Sequence, residues 1–257
     1  MIHRHLARVR EYDRWLRAPS ISSMVYRWLA GPHAVLLVNT PVTRVPELVN
    51  LQPKHRVLDL GGGRGAVARF LAGRIPFHQP VIAIEPSEAM LGLARRDLEG
   101  RNVELVHGLA THLPLASESV DLIIAAHLFK HLDDGQLYIA FGEAKRVLRP
   151  GGILLAWDFA PTSSRRLNRF HLWLLQRGVG RQYLRGHGQV VEYAWPHGWG
   201  YIERPDLRPF LFPPMPRTVA LLQKSRDPDF DRTRFGPWPE VGAGSEQEPS
   251  AGAAAVD

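Results

Sequence analysis

The sequence predicts an α/β fold in which a mostly parallel sheet is covered by helices on both faces. Three observations carry this. Between Arg56 and Trp157, five short and almost wholly apolar runs alternate with stretches whose apolar residues recur at helical spacing. Strands that are apolar on every residue are buried on both faces, as in a parallel sheet between helices. The first of these runs leads straight into a glycine-rich turn that feeds a helix N-terminus, the local form of a nucleotide cradle.

Residues 1–50 read as a helical cap, with Tyr12, Trp15, Leu16, Val25, Trp28 and Leu29 as core candidates and Pro19, Pro32, Pro41 and Pro46 as breaks. The first strand is Arg56–Leu60. After the turn, Val67, Phe70 and Leu71 set a helical face. The second strand, Val81–Ile84, is closed by Glu85-Pro86, and Ser87 caps a helix whose face is Met90, Leu91, Ala94 and Leu98. Asn102–His107 and Val120–Ala126 are the third and fourth strands. Asp133 or Asp134 caps the next helix, with Leu137, Phe141, Ala144 and Leu148 inward. Pro150-Gly151-Gly152 is expected to stop it before a fifth strand, Ile153–Trp157.

Two further strands are expected at Leu207–Phe212 and Arg217–Gln223, joined by Pro213-Pro214-Met215-Pro216. From Ser225 onward Pro, Gly, Ser and Ala dominate without periodicity, which predicts a disordered tail over 225–257. The expected organisation is a cap over 1–50, a main domain over 51–224 with an inserted lid at 159–206, and that tail.

The chain of 257 residues has ample length for one large core. It lacks an apolar run of the roughly 18 residues needed to span a membrane, and no secretory core follows the N-terminus. Cysteine is absent, which excludes disulfides, thiolate metal sites and a cysteine nucleophile. A cytoplasmic location fits, and no metal is expected. The net charge of +7 is mostly arginine. No nucleic-acid module accompanies it and aromatics do not interleave with it, so a solvated basic surface is favoured over a nucleic-acid partner.

In an open parallel sheet, ligands bind at the carboxyl ends of the strands. The out-of-place residues map there. Asp59 sits among Val57, Leu58 and Leu60, where a core prefers an aliphatic residue. Gly61, Gly62, Gly63, Arg64 and Gly65 follow, able to bend tightly and approach a ligand. Glu85 ends the second strand, where an acceptor-only carboxylate can take both hydroxyls of a ribose. Leu109 and Ala110 follow the third strand, and His127 ends the fourth. Gly61-x-Gly63-x-x-Ala66 also satisfies the loose dinucleotide fingerprint, so NAD binding is an alternative.

Three segments beyond Val57–Gly65 decide against that alternative: Ile84–Leu91, Leu113–Asp121 and Arg146–Gly152. In combination with Val57–Gly65 they resemble the class I S-adenosylmethionine-dependent methyltransferases, closest to the ubiquinone- and menaquinone-type branch. The resemblance covers about residues 54–160. It implies a Rossmann-like seven-stranded sheet with the last strand antiparallel, and S-adenosyl-L-methionine as cofactor. Carried over, Asp59 and Gly61–Gly65 hold the methionine end, and Glu85 with Pro86 forms the ribose loop. Met90 lies near the adenine, backbone groups of Leu109 and Ala110 serve it, and His127 lines the methyl-transfer crevice. One departure is Leu109, where the family often has an Asp that accepts from the adenine amino group.

A general base is needed only if the acceptor carries a proton that leaves early, and His127 and His131 are the nearest candidates. No catalytic residue is assigned, and His127 is favoured as a pocket wall. In the insertion, Leu167, Phe170, His171, Leu174 and Leu175 form an apolar stripe widened by Leu172 and Trp173, with Arg165, Arg166, Arg169, Arg177, Arg181 and Arg185 around it. The favoured reading is a lid helix packed on the domain; the alternative is peripheral membrane contact through 165–185. Tyr193, Trp195, His197, Trp199 and Tyr201 are the first choice for substrate contact. These features predict an enzyme methylating a small apolar or aromatic molecule. The alternatives are a methyltransferase-like binding protein without turnover, or an NAD-dependent oxidoreductase.

Overall fold

The apolar runs pair side by side, and their order follows from how the chain crosses between them. A computed structural model of the chain describes residues 2–176 and 180–227. The strands are β1 (Val57–Leu60), β2 (Val81–Glu85), β3 (Val103–His107), β4 (Val120–Ala126), β5 (Leu148–Phe159), β6 (Tyr201–Glu203) and β7 (Arg217–Gln223). They form one seven-stranded sheet in the order β3-β2-β1-β4-β5-β7-β6. The first five run parallel, and β7 inserts antiparallel to both β5 and β6. The chain winds one way from β1 to β3 and the other way through β4 and β5. The crevice between β1 and β4 is therefore the switch point where ligands bind.

Helices α1 (Ile2–Arg17), α2 (Ile21–Leu29), α3 (Val35–Val38) and α4 (Val45–Leu48) precede the sheet. Helix α5 (Ala66–Arg74) follows β1, α6 (Glu88–Asp97) follows β2, and α7 (Asp134–Val147) follows β4. The insertion holds α8 (Arg165–Gln176) and α9 (His187–Ala194). One face of the sheet packs against α7 and α9 through Leu137, Phe141, Val190 and Trp199. The other packs against α5 and the end of the cap through Val67, Leu71, Val42 and Val45. The caps are as expected: the Ser87 hydroxyl accepts from the Met90 N–H at 3.1 Å, and Asp133 with Gln136 forms a reciprocal capping box.

Three boundary expectations are corrected. Helix α7 stops at Val147 and the strand starts at once, so Pro150-Gly151-Gly152 lies inside β5. Pairing jumps from Val120–Leu148 to Leu122–Ile153, an irregularity that accommodates a proline and the left-handed Gly151 at φ 80°. Leu207–Phe212 is not a strand. Pro209 and Pro213 have no N–H for a ladder, and Leu207 instead packs into the core beside α5. The missing strand is Tyr201–Glu203, which pairs with the end of β7. In the cap, Leu16 is buried as expected, whereas Val25 and Trp28 are exposed. Residues 228–257, which hold most of the expected tail, and Arg177 lie outside the described residues.

Candidate functional site

The crevice is built where β1 and β2 end. The Gly61 and Gly62 N–H groups both donate to the Ile84 carbonyl, at 2.8 and 3.0 Å, so the turn folds over the end of β2. Gly65 opens α5 at φ 72°, where a side chain would be strained and its Cβ would meet Leu98 at 2.5 Å. A Cβ on Gly62 would lie 3.1 Å from Asp59 Oδ2. The turn's backbone is thereby held close to two buried carboxyls.

Asp59 accepts from the Ala68 N–H at 3.1 Å, and burial pushes its carboxyl up to about 7 against that hydrogen bond. Glu85 accepts from Gly63 N–H at 3.0 Å and from Ser87 N–H at 2.9 Å. Burial raises it to about 7 as well, with the charge of Asp13 and Asp59 adding to the effect. Two carboxyls so placed are poised for partners that donate hydrogen bonds or carry positive charge, which would draw both back toward ionisation.

Pro86 and Ala110 line a cavity with Leu60, Gly61, Ile84 and Gly108. Met90 is buried, Leu109 bridges to His112, and neither lines the cavity. Arg64 points elsewhere: its guanidinium meets Asp97 at 2.6 and 3.0 Å and donates to the Arg27 carbonyl, fastening α2 to the sheet. Tyr193, Trp195 and Trp199 pack on the core face beside α7, and His197 stacks 4.3 Å from Tyr138. None of these aromatics lines the crevice cavity, so their first-choice role as substrate contacts is corrected to packing.

His127 follows β4 at φ 56°, a left-handed conformation uncommon for a residue other than glycine. Its ring stacks 4.7 Å from Phe159. Nδ1 lies 3.7 Å from Asp158 Oδ1, and Nε2 lies 3.4 Å from the Val38 carbonyl. Burial holds His127 below its usual range, so the ring is neutral near pH 7. Asp158, though burial opposes it, is held low by Lys130 and His127. Burial brings Lys130 down to about 8. His131 is driven to about 3 by burial and meets the Gln182 amide at 3.1 Å, which leaves it a poor base.

Sequence reasoning missed the residues that close the crevice. Asp158 carried the signal that found Asp59, a carboxylate at the end of an apolar strand. His5, Tyr12, Asp13 and Tyr26 carried none, because only the fold lays α1 over the crevice. The Ser87 hydroxyl donates to Asp13 Oδ1, and the Ala89 N–H reaches the same oxygen at 3.4 Å. Tyr12 donates to Tyr26 at 3.0 Å. Burial raises both phenols, Tyr26 to about 12, with the charge of Glu85 contributing. His5, Leu128 and Leu132 complete the wall, and the remaining cavity is about 20 Å³. That holds about one water.

A profile for the methyltransferase domain matches residues 57–152. Residues 57–152 are thus similar to a methyltransferase domain. Malonyl-[acyl-carrier protein] O-methyltransferase of Methylococcus capsulatus is 41% identical over 103 residues, 40% of this chain and 36% of that protein. Demethylmenaquinone methyltransferase of Thermotoga maritima is 32% identical over 48% of this chain and 52% of that protein. The chain thus spans about half or less of the length of these curated relatives. A phosphoethanolamine N-methyltransferase of Haemonchus contortus, solved with phosphomonomethylethanolamine and S-adenosylhomocysteine, superposes with a TM-score of 0.54. It is 25% identical over 65% of this chain and 38% of its own.

The crevice has the chemistry for a nucleoside cofactor: two buried carboxyls, a glycine backbone without Cβ atoms, and apolar walls for a base. Its volume fits only after α1 and Leu128 withdraw, since a small-molecule site needs some hundreds of Å³. Asp13 ties α1 shut at the N-terminus of α6. Asp13→Ala is therefore expected to raise the association rate of S-adenosylhomocysteine about tenfold, since a hydrogen bond to a charged group contributes roughly 1.5–3 kcal/mol. Stopped-flow tryptophan fluorescence measures this. An unchanged rate would mean that α1 does not gate the crevice.

Proposed function

We propose that this protein is an S-adenosylmethionine-dependent methyltransferase acting on a small apolar or aromatic molecule. The observation that carries the reading is Glu85, buried at the end of β2 and held by the Gly63 and Ser87 N–H groups beside the glycine turn. Each carboxylate oxygen has two lone pairs, so two backbone donors leave acceptor capacity for the two ribose hydroxyls. Asp59, beneath the same turn, attracts the methionine ammonium. The cofactor supplies an electrophilic methyl on a sulfonium. The chain's tasks are then to align the acceptor and to exclude water, and Leu60, Ile84, Leu128 and Leu132 give the crevice its apolar walls. His127, a neutral ring that follows β4 and lies outside the cavity lining, is the candidate to take a proton from a phenol or acidic carbon. An apolar acceptor agrees with the quinone relative, and a cysteine-free chain agrees with the cytoplasm.

The second reading is a binding protein without turnover, favoured by the closed cavity and by Leu109. An NAD-dependent enzyme is disfavoured, since antiparallel β7 occupies the place of a second parallel half. Calorimetric titration with S-adenosylhomocysteine, with NADH as control, decides among them. Micromolar binding of the first alone, followed by S-adenosylhomocysteine formation with quinol or phenol acceptors, supports the enzyme. Binding without turnover in a broad acceptor screen supports the second reading. NADH binding overturns both.

A further inference from the structure

Two helices of this protein turn clustered apolar side chains outward. Helix α2 turns Ser23, Tyr26 and Arg27 toward the protein, where Ser23 bonds the Ala18 and Ser20 carbonyls and Arg27 bonds the Leu16 carbonyl. Its apolar stripe, Ile21, Met24, Val25 and Trp28 at i, i+3, i+4 and i+7, faces outward. Helix α8 buries His171 and half-buries Asn168, Leu172 and Leu175, and turns Leu167, Phe170, Trp173 and Leu174 outward. These eight side chains are 42% to 82% exposed. The expected lid packing of the α8 stripe is thus corrected in part: Leu167, Phe170, Trp173 and Leu174 are on the surface, while His171, Leu172 and Leu175 turn inward. An amphipathic helix on a water-facing surface does the opposite, and clustered exposed apolar side chains mark an interaction face.

Along the chain, the residues flanking both helices carry charge of one sign. Between Asp13 and Glu47 the chain has no carboxylate, and Arg14, Arg17, Arg27 and Arg44 fall in that interval. Between Asp158 and Glu192 there is again none, and Arg165, Arg166 and Arg169 lie exposed on α8 itself. The inner sides of the two segments are linked through α1 and His131. Tyr26 of α2 bonds Tyr12 of α1, whose ring lies 6.3 Å from His131, and His131 bonds Gln182 in the segment after α8.

We infer that α2 and α8 seat this protein on an anionic phospholipid bilayer, from which an apolar acceptor enters the crevice. Apolar side chains enter the acyl boundary while arginines meet lipid phosphates, as in helices that lie in a membrane interface. No described helix is long and apolar enough to cross a membrane, so the contact is peripheral. The inference rests on the methyltransferase reading for the role of the bound lipid surface, and its test does not.

The test is sedimentation of the full chain with vesicles of phosphatidylcholine, with and without phosphatidylglycerol, at low and high salt. Binding is expected with phosphatidylglycerol and weakened by salt. Phe170→Glu/Trp173→Glu and Met24→Glu/Trp28→Glu are each expected to lower partitioning at least about tenfold. Titration of the same variants with S-adenosylhomocysteine reports whether fold and cofactor site are intact, independently of lipid. Retention of the wild-type chain in the supernatant with both vesicle types overturns the inference, as do variants that partition like wild type. If light scattering shows a dimer that these variants split, with no vesicle binding, the face belongs to a second copy and the inference also falls.

Discussion

Replacing Glu85 by alanine is expected to weaken S-adenosylhomocysteine binding about 30- to 1,000-fold. Both carboxylate oxygens are already fixed by backbone donors, at 3.0 Å from Gly63 and 2.9 Å from Ser87. The acceptor is therefore preorganised and loses little freedom when two hydroxyls arrive. Hydrogen bonds to a charged group contribute roughly 1.5–3 kcal/mol each, so losing two, partly replaced by water, costs about 2–4 kcal/mol. The variant also strips two N–H groups of their acceptor, which loosens the glycine turn. Glu85→Gln separates the two effects, because its carbonyl can still serve one of those donors. Calorimetry with the thermal midpoint of each variant measures both quantities. Alanine and wild-type affinities within threefold of each other, in a folded variant, would remove Glu85 from the ribose role.

The parts of this protein legible in its sequence are those fixed by local rules. Apolar runs placed β1, β2, β4 and β5 because a strand buried on both faces tolerates few polar residues. That same intolerance made Asp59 and Glu85 conspicuous. Ser87 and Asp133 announced their helices because a cap acts within three residues. The failures were long-range. Leu207–Phe212 has strand-like apolar content, yet Pro209 within it and Pro213 just after it deny it a ladder. The stripe of Leu167, Phe170 and Leu174 shows its periodicity but not its direction, since periodicity gives a face and tertiary packing decides where the face points. Trp28 was misplaced for the same reason. The residues closing the crevice, Tyr12, Asp13 and Leu128, are ordinary in sequence and acquire their role only where α1 crosses β2 and α6.

The Asp59 carboxyl makes the cofactor site a liability to the free protein, and the sign of the effect is testable. Its folded pKa is about 7 against an ordinary 3.8, with burial as the main cause. Below 3.8 the group is protonated whether folded or not. Between 3.8 and 7 the folded chain keeps a proton that the unfolded chain has released, so unfolding free energy falls as pH rises through that window. Above 7 the penalty is complete. A shift of about 3 units at 1.36 kcal/mol each gives at most about 4 kcal/mol. Asp59→Asn has no proton to lose and can still accept from Ala68. It is expected to match wild type near pH 4 and to melt higher at pH 8, by several degrees for a chain of this size. His127, His131 and Lys130 titrate in both proteins and cancel in the difference. Glu85 does not cancel fully, because the charge of Asp59 is among the causes raising it, so the variant also lets Glu85 ionise more readily. Binding should move the other way, since an amide attracts the methionine ammonium less than a carboxylate does. Saturating S-adenosylhomocysteine should therefore narrow the gap at pH 8 by stabilising wild type more than Asp59→Asn. Melting curves for the two proteins that run parallel from pH 4 to pH 8 would mean that Asp59 carries no such strain.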